Sequence, residues 1–115
     1  MLAACIAEFS DKDITVMSAA VADYTSVTIA DEKIKKNSDT FSIELKKTTD
    51  ILKELGAKKN EKQLLIGFAL ETNNEKEYAL KKLNSKNADM IVLNSLNDSG
   101  AGFGYDTNKD RKSVV

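Results

Sequence analysis

The sequence predicts an α/β fold built on a three-layer, mostly parallel sheet, and three observations predict it. Residues 13–21, 63–70 and 89–93 are apolar runs that read as buried strands, the first of them rich in β-branched residues and of the kind covered on both faces. A charged stretch with helical capping signals follows the second run after a tight turn, giving a strand, turn, helix unit. Strands alternating with helices imply right-handed βαβ crossovers, which place strands side by side and parallel.

Taken in order, Met1 to Ala7 reads as the tail of an amphipathic helix. The segment is too short to span a bilayer and runs into Glu8 and Asp11 with no basic residue before it. Residues 13–21 form the first strand, expected to be a parallel central one. Residues 23–39 are rich in Thr, Ser and charge, show no sustained period, and read as a long loop carrying Lys33-Ile34-Lys35-Lys36. Residues 40–46 alternate apolar and polar, the pattern of a half-exposed strand, antiparallel or at an edge. Thr49 or Asp50 caps a short helix whose Ile51, Leu52 and Leu55 fall at helical spacing, with Gly56 near its end. The second buried strand, 63–70, is followed at once by Glu71-Thr72-Asn73 opening a charged helix to about Asn87. The third strand ends at Asn94, residues 97–104 are loop, and 111–115 begin a final strand.

Composition narrows the chemistry. The chain has 115 residues, 42% of them hydrophobic and 30% charged, with 17 basic side chains against 18 acidic, the balance of an ordinary globular domain. Its net charge of −1 offers no global attraction for nucleic acid or an anionic membrane, so neither is an expected partner. Histidine and proline are absent, Cys5 is the only cysteine, and Arg111 is the only arginine. These residues therefore hold no Ser-His-Asp or Cys-His relay, no imidazole metal site and no internal disulfide. Acid, base and anion-binding work falls to Lys, Asp, Glu and the backbone. A single unpaired thiol fits a reducing cytoplasm.

In an open α/β sheet, ligands bind beyond the carboxyl ends of the strands, where loops converge and helix N-termini offer free N–H groups. That rule selects residues 19–24, 68–73 and 94–103, with Asp23, Glu71, Thr72 and Asn94 as their polar groups. Each is either a ligand contact or an ordinary cap or turn residue. Gly67 marks a close approach, of a ligand or of a helix crossing above it. Phe68 is either core or a platform for a flat ring. Lys82 and Lys86 stand four apart on one helix face, where like charges cost a few tenths of a kcal/mol unless an anion sits between them. They suit a polyphosphate, or else form a solvated face balanced by Glu75 and Glu77. Lys33, Lys35 and Lys36 could close over phosphates from their loop or remain a hydrophilic surface. The usual phosphate-cradle signatures, G-x-G-x-x-G and Walker A, do not occur.

Five segments then occur in an ordered series: Ala19-Ala20-Val21-Ala22-Asp23-Tyr24; Lys33-Ile34-Lys35-Lys36; Thr49-Asp50-Ile51-Leu52; Gly67-Phe68-Ala69-Leu70-Glu71-Thr72; and Gly102-Phe103 with Asp106 and Asn108. From about Asp13 onward the chain resembles the phosphopantothenoylcysteine synthetase domain of the bifunctional coenzyme A biosynthesis flavoprotein. The resemblance implies a Rossmann-like ligase that uses CTP and Mg²⁺ to convert 4'-phosphopantothenate to an acyl-cytidylate, from which cysteine displaces CMP. It implies nucleotide contacts at Met17, Ser18, Ala19, Asp23, Lys33, Thr49, Asp50, Ile51, Leu52, Phe68, Lys82 and Lys86, with Lys33 as the catalytic charge. Ser18 stands where many members have Ala, and Thr49 replaces a usual Pro. The resemblance also implies a homodimer, and FMN only in an adjoining decarboxylase domain of the parent protein. The chain is expected to be a truncated piece of that synthetase domain, residues 1–115 carrying most of the nucleotide half-site and inactive alone. The rival reading is a non-catalytic α/β interaction or assembly module.

Overall fold

The computed structural model describes residues 1–35, 39–97, 106, 107 and 109–114, the last five by their backbone. The elements are α1 (Leu2–Phe9), β1 (Ile14–Met17), β2 (Tyr24–Ser26), β3 (Leu45–Lys47), α2 (Ile51–Lys58), β4 (Leu64–Glu71), α3 (Glu75–Ser85), β5 (Met90–Ser95) and β6 (Asp110–Val114). They divide into two compact units, one of Met1–Ala19 with Ile51–Val115 and the other of Ala20–Asp50.

The larger unit is a four-stranded sheet in the order β1-β4-β5-β6. β1 is parallel to β4 and β4 to β5, while β6 returns antiparallel along β5. The mostly parallel α/β fold expected from the alternation of apolar runs and helices is thus what the chain forms. Side chains alternate across it. On β4, Leu65, Gly67 and Ala69 are buried, while Leu64, Phe68 and Leu70 point to the other face and are exposed. Phe9, Ile51, Leu55 and Leu65 make one core cluster, with Leu2, Cys5, Ile6 and Met17 packed against it. Ala69, Ala79, Leu83, Ala88, Ile91 and Leu93 make a second, and Leu52 packs on both. All three helices therefore cover the same face. Full burial of each Leu or Ile contributes about 1.5–3 kcal/mol, which is why the apolar stripes of α1, α2 and α3 converge there.

Several expectations are corrected. The first strand was expected over residues 13–21, central and covered on both faces; it is four residues long, pairs only with β4 among the described residues, and leaves Ile14 59% exposed. The reason is that the helices cover only the face bearing Thr15 and Met17, and the chain leaves the sheet at Ser18. For the same reason, no second helical layer stands on the opposite face among the described residues. The stretch 23–39 is not all loop, since β2 lies within it, and only Leu45–Lys47 of the alternating run 40–46 continues into a regular strand. α3 opens at Glu75 rather than Glu71, because β4 keeps pairing with β5 to Glu71↔Ser95 and Asn74 then turns the chain with a positive φ of 47°. The final strand appears as β6.

Two glycines set how closely the helices approach. A Cβ on Gly67 would lie 2.6 Å from Leu52 Cδ2 and 2.9 Å from Ile91 Cδ1, so this strand glycine is a seat for α2. A Cβ on Gly56 would lie 1.8 Å from the Lys86 carbonyl oxygen, where the last turn of α2 meets the end of α3. Asn87, held at φ 50°, donates from Nδ2 to the Gly56 carbonyl at 2.8 Å and closes that joint.

At the amino ends of the strands, polar groups tie the unit together. Asp89 Oδ1 accepts from Lys59 Nζ at 2.7 Å and Oδ2 from the Leu65 N–H at 2.7 Å. Burial opposes the Asp89 charge, yet the Lys59 ammonium and the Leu65 N–H outweigh it and hold the carboxyl below its ordinary value. The buried Gln63 amide donates to the Phe9 carbonyl at 2.7 Å and the Lys12 carbonyl at 2.9 Å, and its oxygen accepts from the Asn60 N–H.

The smaller unit is an antiparallel ribbon with Tyr24↔Lys47, Thr25↔Lys46 and Ser26↔Leu45 in register. Its ladder extends through Val27 N–H to Glu44 O and Thr48 N–H to Asp23 O, and Thr48 Oγ1 donates to the Ala22 carbonyl at 2.7 Å. Ile29, Phe41, Ile43 and Leu45 are exposed, so backbone pairing rather than a core defines this ribbon.

Two outcomes follow for stability. Replacing a helical Gly by Ala ordinarily gains about 1 kcal/mol of helix propensity, but at Gly56 the contact is with backbone that cannot swing aside. Gly56→Ala is expected to lower stability by about 1–3 kcal/mol and to cost more than Gly67→Ala, whose neighbours are movable methyl groups; chemical denaturation of both variants checks this. Asp89 titrates at lower pH folded than unfolded, so its contribution is present above the ordinary value of 3.8 and is lost as pH falls through the folded value. Asp89→Asn should cost about 1–3 kcal/mol at neutral pH and flatten the acid limb of the stability profile, read from denaturation midpoints across that range.

Candidate functional site

The carboxyl ends of β4 and β5 lie beside the first turn of α3, and a polar cluster fills that corner. Ser95, only 4% exposed, shares a hydrogen bond with Glu75 Oε1, and its Oγ accepts from the Asn97 N–H at 3.1 Å. Asn97 Nδ2 donates to the Thr72 carbonyl at 2.6 Å and reaches Glu75 Oε1 at 3.3 Å. A second backbone link, Leu96 N–H to Glu71 O, closes the turn. An open cleft of about 480 Å³ lies over this corner, lined by residues 72–77 and Asn97.

A second open cleft, of about 340 Å³, runs along α3 and is lined by Glu71, Tyr78, Lys81, Lys82, Ser85 and Lys86. Lys82 and Lys86 are each half-buried, because they flank the stripe of Ala79 and Leu83 that packs on the sheet. Lys82 Nζ donates to the Phe68 carbonyl at 3.2 Å. That carbonyl lies one residue past the last β1 to β4 pair, Met17↔Gly67, so the lysine joins β4 where the β1 ladder has stopped. Two residues that the sequence singled out separately, Phe68 and Lys82, are thus brought together, and Met17 ends its strand beside Gly67. Phe68 itself is 37% exposed, with its ring on the face away from the helices.

The other expected residues are placed as follows. Ser18 and Ala19 follow β1 and are exposed. Ile51 is buried in the core and Leu52 sits over Gly67, so the side chains of both serve packing, and a ligand would meet this segment through its backbone. Asp23, Lys33, Thr49 and Asp50 belong to the smaller unit, and their side chains are exposed. Asn94 donates to the Lys109 carbonyl at 3.2 Å, the tie of a connecting residue. Lys36, Gly102, Phe103 and Asn108 lie outside the described residues. What the residue pattern missed is the group Glu75, Ser95 and Asn97. A serine two residues past the apolar run that ends at Leu93, and two before an Asn-Asp pair in the sequence, was the available signal.

Among the described residues no three His, Cys, Asp or Glu side chains converge as a metal site, and no helix is long and apolar enough to cross a membrane. A divalent ion that arrives bound to a nucleotide needs only phosphate oxygens, water and one or two carboxylates. The carboxylate that lines the lysine cleft is Glu71.

The model of the DNA/pantothenate metabolism flavoprotein C-terminal domain matches residues 1–111. The chain belongs to that family. It is 51% identical over 108 residues to the coenzyme A biosynthesis bifunctional protein CoaBC of Bacillus subtilis, and 40% identical over 111 residues to that of Escherichia coli, in each case over 94% of this chain. It is also 52% identical over 109 residues, 95% of its length, to a cysteine/cysteine sulfinic acid decarboxylase of an unknown prokaryotic organism. These alignments span 26%, 27% and 30% of the respective relatives. Among solved structures, the C-terminal domain of CoaBC superposes with a TM-score of 0.66 at 48% identity, over 81% of this chain and 41% of that one. A Streptococcus pneumoniae DNA/pantothenate metabolism flavoprotein superposes with a TM-score of 0.70 at 22% identity, over 98% of this chain and 61% of that one, a likeness of fold.

Proposed function

We propose that this chain is the nucleotide-contacting part of an enzyme of coenzyme A biosynthesis, a CTP-dependent ligase that joins 4'-phosphopantothenate and cysteine. The observation that carries the reading is the cleft on α3, where Lys82 and Lys86 stand half-buried, with Lys82 fastened to the backbone of β4 at Phe68. A lysine pair held at fixed spacing along a helix suits a polyphosphate chain, whose charge offsets their mutual repulsion. Similarity to proteins named for coenzyme A biosynthesis over almost the whole chain supports the same reading.

In the proposed reaction a carboxylate oxygen of 4'-phosphopantothenate attacks the α-phosphorus of CTP, a P–O bond forms, and pyrophosphate leaves with the electrons of the broken one. The amine of cysteine then attacks the acyl carbon, loses a proton, and expels CMP. Both steps gather negative charge on phosphate oxygens, which ammonium groups stabilise without proton transfer. Mg²⁺ bound to the triphosphate would add charge neutralisation, with Glu71 as the described carboxylate nearest the lysines' cleft. Lys82 and Lys86 hold the phosphates, and backbone N–H groups at the start of α2 and the strand ends at Met17 and Phe68 frame the nucleotide. Within the smaller unit, the resemblance to the synthetase family assigns Lys33 as the catalytic charge and Asp23, Thr49 and Asp50 as nucleotide contacts. FMN belongs to an adjoining decarboxylase domain of the parent, and that parent is a cytoplasmic homodimer. The 115-residue chain alone lacks full activity.

A second reading has one observation in its favour: Ile14, Val16, Leu64, Phe68 and Leu70 form an exposed apolar face on adjacent strands, a feature of assembly modules. Calorimetric titration with CTP, UTP and ATP in the presence of Mg²⁺ separates the two. The ligase reading expects CTP to bind more tightly than the others and to raise the thermal midpoint, with Lys82→Gln and Lys86→Gln each weakening CTP about tenfold, the loss of one charge-assisted contact. Equal or absent binding of all three nucleotides by folded protein would sink it. In the full-length parent, Lys33→Gln is expected to cut kcat by about 100-fold or more while CTP affinity changes less than threefold; unchanged turnover would remove Lys33 from catalysis.

A further inference from the structure

The two lysines of the α3 cleft act at a set distance from β4 only if α3 does not slide along its axis. One residue of slide is about 1.5 Å, enough to carry Lys82 Nζ out of reach of the Phe68 carbonyl it meets at 3.2 Å. Ala79 and Leu83 pack on the sheet beside Ala69, Ile91 and Leu93, and such apolar contacts carry no direction of their own. Directional bonds at the two ends of the helix resist it better. At the far end, Asn87 is bonded to the Gly56 carbonyl and the Lys86 carbonyl abuts Gly56. At the near end, Glu75 is the first helical residue, and its Oε1 meets both the buried Ser95 hydroxyl and Asn97 Nδ2, while Asn97 also holds the Thr72 carbonyl. Glu75, Lys82 and Lys86 lie at spacings of seven and four residues, so the carboxylate anchors the same flank of the helix that carries the lysines.

From this geometry we infer that Glu75 is a positioning residue, which through Ser95 and Asn97 fixes α3 against the ends of β4 and β5 and so sets where Lys82 and Lys86 meet the phosphates. The inference rests on the nucleotide reading of the α3 cleft. Its chemistry is that of an acceptor oxygen rather than of a charge: Ser95 Oγ and Asn97 Nδ2 are neutral donors, so an uncharged amide oxygen at position 75 can replace the carboxylate. It also gives the carboxylate a place next to the amino end of a helix, where the helix dipole favours it.

The test uses the 115-residue chain with Glu75→Gln, Glu75→Leu and Ser95→Ala, and two readouts. Without nucleotide, amide hydrogen exchange across residues 78–86 should quicken about tenfold in Glu75→Leu and Ser95→Ala, stay near the parent rate in Glu75→Gln, and remain unchanged over residues 51–58 in all three. With CTP and Mg²⁺, the dissociation constant should rise about tenfold in the first two variants and less than threefold in Glu75→Gln. Unchanged α3 exchange in Glu75→Leu overturns the anchor whatever the nucleotide does. Faster α3 exchange with parental CTP affinity keeps the anchor but overturns its part in binding, leaving the nucleotide reading intact. Absent CTP binding in the folded, unsubstituted chain overturns the nucleotide reading and the positioning role with it. A loss in Glu75→Gln as large as in Glu75→Leu overturns the acceptor-oxygen mechanism.

Discussion

The packing of this molecule depends on the missing side chain at position 67. Leu52 descends onto the backbone of β4 because nothing rises to meet it, and Ile91 of the neighbouring strand closes in from the other side. Leu52 is then shared by both core clusters, the one under α1 and α2 and the one under α3. A larger residue there would first push aside the methyl ends of Leu52 and Ile91, loosening the contact that joins the two clusters. The two glycines thus act in series: one sets the height of α2 above the sheet, and the other lets α3 approach α2 closely. Close packing of this kind transmits small displacements, since interiors have few voids to absorb them.

The ends of the sheet have different tasks. At the amino ends, Lys59 pairs with Asp89, while Asp89 and Gln63 bond backbone groups of the same unit. At the carboxyl ends, Glu75, Ser95 and Asn97 fasten a helix whose flank presents lysines to an open cleft. The division matches the general tendency of parallel sheets to carry ligands beyond the carboxyl ends of their strands. Here the lysine-lined cleft runs down the helix, while the cleft over its first turn carries the Glu75 carboxylate.

Much of the fold was legible in the residues. The runs at 63–70 and 89–93 became β4 and β5, and the helices at 51 and 75 fell close to where capping signals and spacing put them. The first strand misled because an apolar run looks the same whether one face is covered or two, and coverage is decided by helices remote in sequence. Tyr24–Ser26 escaped notice because a short ribbon strand carries no period; its partner, Leu45–Lys47, supplies the order. At the site, Lys82 and Phe68 were visible individually as an unusual charge pair and a strand-end aromatic. Their contact was not, since it joins a side chain to a backbone carbonyl, and backbone groups have no signature in sequence. Glu75 was read as a charge balancing lysines, whereas its geometry makes it an acceptor for neutral donors.

Gln63 bears on how the chain assembles as well as on how it holds. Its amide bridges to Phe9 across 54 positions of sequence and so ties the end of α1 to the start of β4. Closing so long a loop costs entropy before any contact repays it. The helix at the start of the chain is therefore expected to dock late, after β4 and β5 have formed the surface that receives it, and to detach early when the folded molecule fluctuates. The first visible breathing of the structure would then be the release of α1, exposing Leu65 and Leu55 while the lysine cleft on α3 stays assembled.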